Sequence, residues 1–300
     1  MRSGSMRFGI HVPRQRTLQA TARYAVECGC EAIQVFSGNP MGWRTGRLDS
    51  EDRDAFISTL DGAGVRPVVV HSPYLINAAG PSRKLRARSL RAIVDGLERT
   101  VALSAGFFVI HAGNHMGDGS ARGTERAVRM IGRALEKGPA SAVLAVENGA
   151  GKGTEIGTTV DELDALVSPF PADRIGFLLD TAHLWAMGHD LRKTDAWSRL
   201  LEAVDRGPGL ERLLAIHGND SHAELGSRVD RHALWTEGRM GRRGLRELVR
   251  RSELEETAVI FEIPLDTAEA NRRRNRSMRR LERRVGSRFR SPDGRTRGPS

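Results

Sequence analysis

The chain has 300 residues, 39% of them apolar, with 33 glycines, which is ordinary for a globular protein able to bury its own core. No run approaches the roughly 18 apolar residues of a membrane span, and the opening MRSGSMRFGIHV lacks the apolar stretch of a secretory signal. Cys28 and Cys30 stand in C-G-C, neither a redox C-x-x-C nor a zinc spacing, so a soluble, reduced, cytoplasmic protein is expected. The formal net charge of +10 is local: residues 271–300 hold twelve arginines against Glu282 and Asp293, which accounts for all of it and leaves the body neutral. Such a tail suits phosphate binding and equally suits a solvated appendage.

In chain order, short β-rich runs alternate with helical stretches. The run 8–12 (FGIHV) precedes a helix over 17–28, and 32–36 (AIQVF) precedes one over 51–63. Next come 67–71 (PVVVH) with 84–104, 107–111 (FFVIH) with 124–137, and 142–147 (AVLAVE) with 159–166. The last three are 175–180 (IGFLLD) with 197–204, 213–217 (LLAIH) with 242–252 after a long loop, and 258–262 (AVIFE) with 267–285. Continuous apolarity marks strands buried on both faces, and eight strand–helix units predict an α/β fold of the (β/α)₈ barrel type. A doubly wound open sheet is the alternative, but its glycine fingerprint after the first strand is missing. One barrel domain over 6–285 is expected, with 1–5 a disordered leader and 286–300 a basic, disordered tail. GAGKGT at 149–154 imitates a phosphate loop, yet Val146 and Gly153 stand where that pattern needs glycine and Ser or Thr.

The strand ends carry the chemistry. At or just beyond the last six runs lie His71, His111, Glu147, Asp180 with His183, His217, Asp230 with His232, and Glu262. A barrel aims all its strand ends at one rim, where active sites of this fold lie. A lone histidine or carboxylate at a strand end is usually a satisfied core residue or a helix cap. Nine together are not, because crowded carboxylates repel unless cations neutralise them. Histidine with carboxylate and no thiolate suits Zn²⁺ best, with Mn²⁺ or Fe²⁺ as alternatives at some positions. Nine donors fit three ions with one bridging carboxylate. Asp230 and His232, two apart in extended chain, point the same way and can share an ion. Asp180 and His183, three apart, would face opposite sides of a strand and so serve different ions. Such a cationic site favours an anionic phosphodiester.

Seven segments carry a resemblance: HSPYLIN (71–77), HAGNHMG (111–117), ENGAGKGTEIG (147–157), LLDTAHLWAMGHD (178–190), HGNDSH (217–222), GSRVDRH (226–232) and FEIP (261–264). Together they resemble the endonuclease IV family of zinc-dependent apurinic/apyrimidinic endonucleases, which implies a xylose-isomerase-like barrel with its metals at the C-terminal rim. The resemblance implies one zinc on His71, His111 and Glu147, and a second on Glu147, Asp180, His217 and Glu262. The third falls to His183, Asp230 and His232. It implies that Glu147 and Glu262 serve catalysis, and that Tyr74 and Leu75 insert beside an extruded abasic nucleotide. The implied reaction is hydrolysis 5′ to abasic sites in duplex DNA by a monomer, leaving a 3′-hydroxyl and a 5′-deoxyribose phosphate. The chain departs from the family pattern at Met41, which replaces an arginine, and at Gly149, Lys152, His222 and TEGRMG (236–241). The competing expectation is a single-metal sugar isomerase or epimerase, which needs only Glu147, Asp180, His217 and Glu262.

Overall fold

A computed structural model describes residues 5–262 and 267–289. The first half of the chain runs β1 (Arg7–His11), α1 (Leu18–Glu27), β2 (Ala32–Phe36), α2 (Ser50–Gly62), β3 (Val68–His71), α3 (Arg83–Ala102), β4 (Phe107–His111) and α4 (Ser120–Lys137). The second half runs β5 (Leu144–Glu147), α5 (Val160–Val167), β6 (Ile175–Asp180), α6 (Thr181–Ala186), α7 (Thr194–Arg206), β7 (Leu213–His217), β8 (Asp220–Ser221) and β9 (His232–Ala233). It ends with α8 (Gly241–Leu248), β10 (Ala258–Phe261) and α9 (Ala268–Phe289). Eight parallel strands close in the order β1-β10-β7-β6-β5-β4-β3-β2, and β8 and β9 form a separate antiparallel pair. This is the α/β barrel that the eight units predict. Side-chain oxygens of Thr17, Asp49, Ser82 and Thr159 cap the helices that follow them by accepting backbone N–H groups.

Alternation along each strand positions the rim. Ile33, Val35, Val68, Val70, Leu144 and Val146 face outward and pack with the helices in one large core. Ala32, Val69, Val109, Ala145, Leu178, Ala215 and Ile260 face inward and form a second, smaller core inside the barrel. Two residues further along, on the same inward face, stand Gln34, His71, His111, Glu147, Asp180, His217 and Glu262. The barrel is therefore apolar in its middle and polar at its C-terminal mouth. Gly9 is required by this packing, since a Cβ there would stand 1.6 Å from the Ala32 carbonyl oxygen.

Several boundaries differ from expectation. Helix α4 starts at Ser120 rather than 124, and α7 extends to Thr194–Arg206. The short helix α6 and the β8–β9 pair fall in stretches read as loop. Helix α9 runs on to Phe289, so it takes in the first four residues of the expected tail, while 290–300 lie outside the described residues. Of the expected leader, 1–4 also lie outside them, and Met6 N donates to Glu282 Oε1 at 2.8 Å. Both cysteines are buried and unbridged. Among the described residues no helix is long and apolar enough to cross a membrane.

Candidate metal centre

All nine strand-end residues converge on one mouth. Glu147, buried at the end of β5, is the hub: its Oε2 lies 3.2 Å from His71 Nε2 and 3.4 Å from His111 Nε2, and its Oε1 lies 2.9 Å from His217 Nδ1. His183 Nδ1 is 3.6 Å from the same Oε1. Asp230 Oδ1 stands 3.5 Å from His183 Nε2 and 3.1 Å from His232 Nε2. Three groups of donors have all their ligand atoms within 4.8 Å of one another: His71, His111 and Glu147; Glu147, Asp180, His217 and Glu262; and Asp180, His183 and His232. Glu147 belongs to two of them and Asp180 to two.

The expectation that Asp180 and His183 face opposite sides of a strand is corrected, while Asp180 stands in one donor group with Glu147, His217 and Glu262 and in another with His183 and His232. Strand β6 ends at Asp180 and α6 begins at once, with Asp180 as its N-cap. Asp180 Oδ1 accepts from Ala182 N at 2.6 Å and His183 N at 3.0 Å, so the chain turns and brings His183 back to the same side. Strand parity does not govern a residue in a helical turn.

Most of the imidazoles are fixed from behind, leaving one nitrogen for the mouth. His71 Nδ1 donates to the Ser72 carbonyl at 2.8 Å, and His183 Nδ1 donates to the Asn148 carbonyl at 2.7 Å. His217 Nε2 donates to Gln34 Oε1 at 2.8 Å, which turns its Nδ1 toward Glu147. Gln34 uses the other end of its amide on Glu262 Oε1 at 2.7 Å and on His11 Nδ1 at 2.9 Å. Asn219 Nδ2 donates to Asp180 Oδ2 at 2.6 Å and Glu262 Oε2 at 3.2 Å, while its Oδ1 accepts from Glu262 N at 2.8 Å. Neighbouring Asp220 is buried and accepts from Met240 N at 2.9 Å and Gly241 N at 2.9 Å, anchoring the glycine-rich segment rather than facing the mouth.

Gln34, Asn148, Asn219 and His11 are the residues that sequence reasoning missed. Gln34 had a signal, being the one polar side chain inside an otherwise apolar strand. His11 is hidden in the sequence because the apolar run FGIHV continues through Val12, so the inward residue at the end of β1 does not read as a strand end.

The charges are mutually dependent. Burial alone would raise the Glu147 carboxyl, but His217 and His111 beside it hold it well below the usual carboxylate range. Burial opposes ionisation of Glu262 and Asp230 too, and His217 and His183 respectively keep both low. Burial would lower His217 and His232, yet the carboxylates push each up to about 9. The four carboxylates thus demand positive charge, which imidazolium supplies when no cation is bound.

The donors fit metal ions. Two ligands of one tetrahedral zinc, at bond lengths of about 2.0–2.1 Å, stand about 3.3 Å apart. The 3.2 and 3.4 Å separations of His71 and His111 from Glu147 match that span. His232 Nε2 is buried and makes no well-aligned hydrogen bond although Asp230 Oδ1 stands 3.1 Å away, as two donors facing one ion would.

A cavity of about 490 Å³ opens above these groups, walled by His11, Phe36, Tyr74, His111, Asp230 and Glu262 among others. Tyr74 is 63% exposed at its lip and meets Phe36 edge-on at 5.6 Å, and Leu75 beside it is half-buried. Tyr74 N donates to the Pro40 carbonyl at 3.0 Å, which places the exposed Met41 beside that lip.

The family sequence model described as "Xylose isomerase-like TIM barrel" matches residues 22–284. A probable endonuclease 4 of Methanoculleus marisnigri is 36% identical over 260 residues, covering 86% of this chain and 92% of its own length. One of Chloroflexus aggregans is 35% identical over 276 residues, covering 91% and 96%. The crystal structure of endonuclease IV from Thermus thermophilus superposes with a TM-score of 0.81 at 31% identity, covering 91% of this chain and 99% of that one. A D-tagatose 3-epimerase-like protein, with a TM-score of 0.67 and 15% identity, shares the fold alone. With these matches and this rim, the chain belongs to the endonuclease IV family.

Proposed function

We propose that this protein is a metal-dependent endonuclease of DNA repair that hydrolyses the phosphodiester 5′ to an abasic site in duplex DNA. The observation that carries the proposal is the set of three donor groups sharing Glu147 and Asp180 under one open cavity. His71, His111 and Glu147 would hold one ion, and Glu147, Asp180, His217 and Glu262 a second. His183, Asp230 and His232, with Asp180 in reach, would hold a third; zinc suits all three sites, with Mn²⁺ or Fe²⁺ as alternatives at some. Divalent ions in such a site acidify water toward a neutral-pH nucleophile and oppose charge on phosphoryl oxygens.

The chain's own residues do the rest. Glu147 and Glu262 face the reacting phosphate from the floor of the cavity and hold the donor array in register. Gln34 and Asn219 fix the side chains that point into the cavity. Tyr74 and Leu75 fill the space that an extruded abasic nucleotide leaves in the stack. In the reaction a water oxygen bonds to phosphorus and the P–O3′ bond breaks. The 3′ oxygen leaves with a proton, giving a 3′-hydroxyl and a 5′-deoxyribose phosphate. A duplex with a single abasic site, its ends mapped after cleavage, tests this: the expected nick lies 5′ to the lesion, and cleavage on the 3′ side or at undamaged positions would exclude it. We place the reaction in the cytoplasm, in a monomer acting on duplex DNA.

The epimerase reading has support in the fold alone. It uses one ion on Glu147, Asp180, His217 and Glu262 and leaves His71, His111, His183, Asp230 and His232 without purpose. Those five side chains crowd the same mouth and favour the endonuclease.

Two smaller effects are expected. Gln34→Leu removes the hydrogen bonds to His217, Glu262 and His11, so retention of metal against a chelator should weaken by about 10–100-fold. Unchanged retention in the folded variant would show that Gln34 is only packing. Met41→Arg adds a cation beside Tyr74, and a new phosphate contact would steepen the salt dependence of duplex binding by about 0.9. Fluorescence anisotropy across a salt series reads this directly, and an unchanged slope would mean that the position does not reach phosphate.

A further inference from the structure

On the barrel's flank, α3 and α4 pack side by side and leave a groove of about 490 Å³ between them. Arg83 and Arg86 line it from the first turn of α3, and Arg126, Arg129 and Arg133 from one face of α4. Its floor is Ala87, Leu90 and Met130. Two carboxylates face these guanidinium groups: Asp118 Oδ2 at 2.9 Å from Arg126 Nη1, and Glu125 Oε2 at 3.5 Å from Arg129 Nη1. Five cations against two anions leave the groove positive, although the body of the chain is neutral.

Arg126 gives the groove its character. Its side chain is only 13% exposed, its Nε donates to the Ala79 carbonyl at 2.6 Å, and its Nη1 is held by Asp118. Its Nη2 is buried with no hydrogen-bond partner. The guanidinium charge is paired with Asp118, but a buried N–H without an acceptor is still costly, and an anionic oxygen seated in the groove would satisfy it. The groove also adjoins the site. Helix α3 starts directly beyond the loop that carries Tyr74 and Leu75, and Ala79, the acceptor for Arg126, lies in that loop.

We propose that the α3–α4 groove binds the phosphodiester backbone of duplex DNA outside the lesion, as a second contact surface that does not read damage. This rests on the endonuclease reading, which brings a duplex to the adjoining rim. Arg126 to Arg133 spans seven residues, about 10 Å of helix. With one charge per about 3.4 Å of duplex axis on each strand, that length meets two or three phosphates. Backbone contacts of this kind position the protein without carrying sequence or lesion information.

The test is binding of intact and abasic duplexes across a salt series by the full chain. The variants are Arg129→Ser with Arg133→Ser, and the reversal Arg129→Glu with Arg133→Glu. Loss of two phosphate contacts should flatten the slope of log affinity against log salt by about 1.8, equally for both duplexes. The reversal should weaken binding further, and the single-turnover rate at saturating DNA should stay within about twofold of wild type. Slopes and affinities matching wild type in both variants would overturn the proposal. So would a loss confined to the abasic duplex, or a loss of poly-glutamate binding with DNA binding intact, which would assign the groove to an acidic protein surface. A wild-type chain that neither cleaves abasic duplex nor binds duplex in a salt-dependent way would instead remove the endonuclease reading.

Discussion

Glu147→Gln is expected to lower the rate of abasic-site cleavage by about a thousandfold or more while the barrel stays folded. Glu147 is buried at the centre of the mouth, in reach of His71, His111, His183 and His217, and it belongs to two of the three donor groups. Glutamine keeps the shape but removes the negative charge that, in the proposed site, would draw two cations together. Losing several kcal/mol of transition-state charge stabilisation corresponds to about three decades in rate. Glu262 belongs to one group only, so Glu262→Gln should retain about two ions where Glu147→Gln retains about one. Metal analysis alongside single-turnover kinetics separates the two. Near-normal cleavage with full metal content in folded Glu147→Gln would show that Glu147 does not bridge.

Stripping all three ions should abolish cleavage and lower the melting temperature by on the order of 20 °C, both restored by adding zinc back. Without cations, four carboxylates are compensated only by protonated imidazoles, among them His217 and His232. Ions bound by the folded chain alone stabilise it by roughly 3–4 kcal/mol per site at concentrations of 100–1,000 times the dissociation constant. For a chain of this size each kcal/mol moves the midpoint by about 2 °C. Calorimetry of chelated, native and reloaded protein measures the shift. A melting temperature indifferent to the chelator, in protein confirmed to be metal-free, would mean that the donor array is held together by hydrogen bonds alone.

Much of this architecture is written locally in the chain. Runs such as FFVIH and LLAIH are apolar on both faces until the last inward position, where a histidine replaces the aliphatic residue. That single pattern, repeated around the barrel, gives both the fold and the rim. What escaped sequence reasoning is what depends on tertiary placement. Asp180 ends a strand and caps a helix in the same residue, so spacing counted along a strand misplaces His183. The β8–β9 pair joins Asp220–Ser221 to His232–Ala233, and the Asp220 side chain separately gathers the backbone of 238–241 from about twenty residues away, neither of which local periodicity records. Gln34 reads as an oddity in an apolar strand until the closed barrel sets it between His217 and Glu262.

A rim built for phosphodiester chemistry would hold three ions, where one built for sugar chemistry would hold one. Metal content of the purified full chain, measured together with turnover of an abasic duplex and of a ketose, tests this most directly. The expected result is about three divalent ions per chain, mostly zinc, with cleavage 5′ to the abasic site and no change in the sugar. About one ion per chain, with ketose epimerised and the duplex intact, would contradict it.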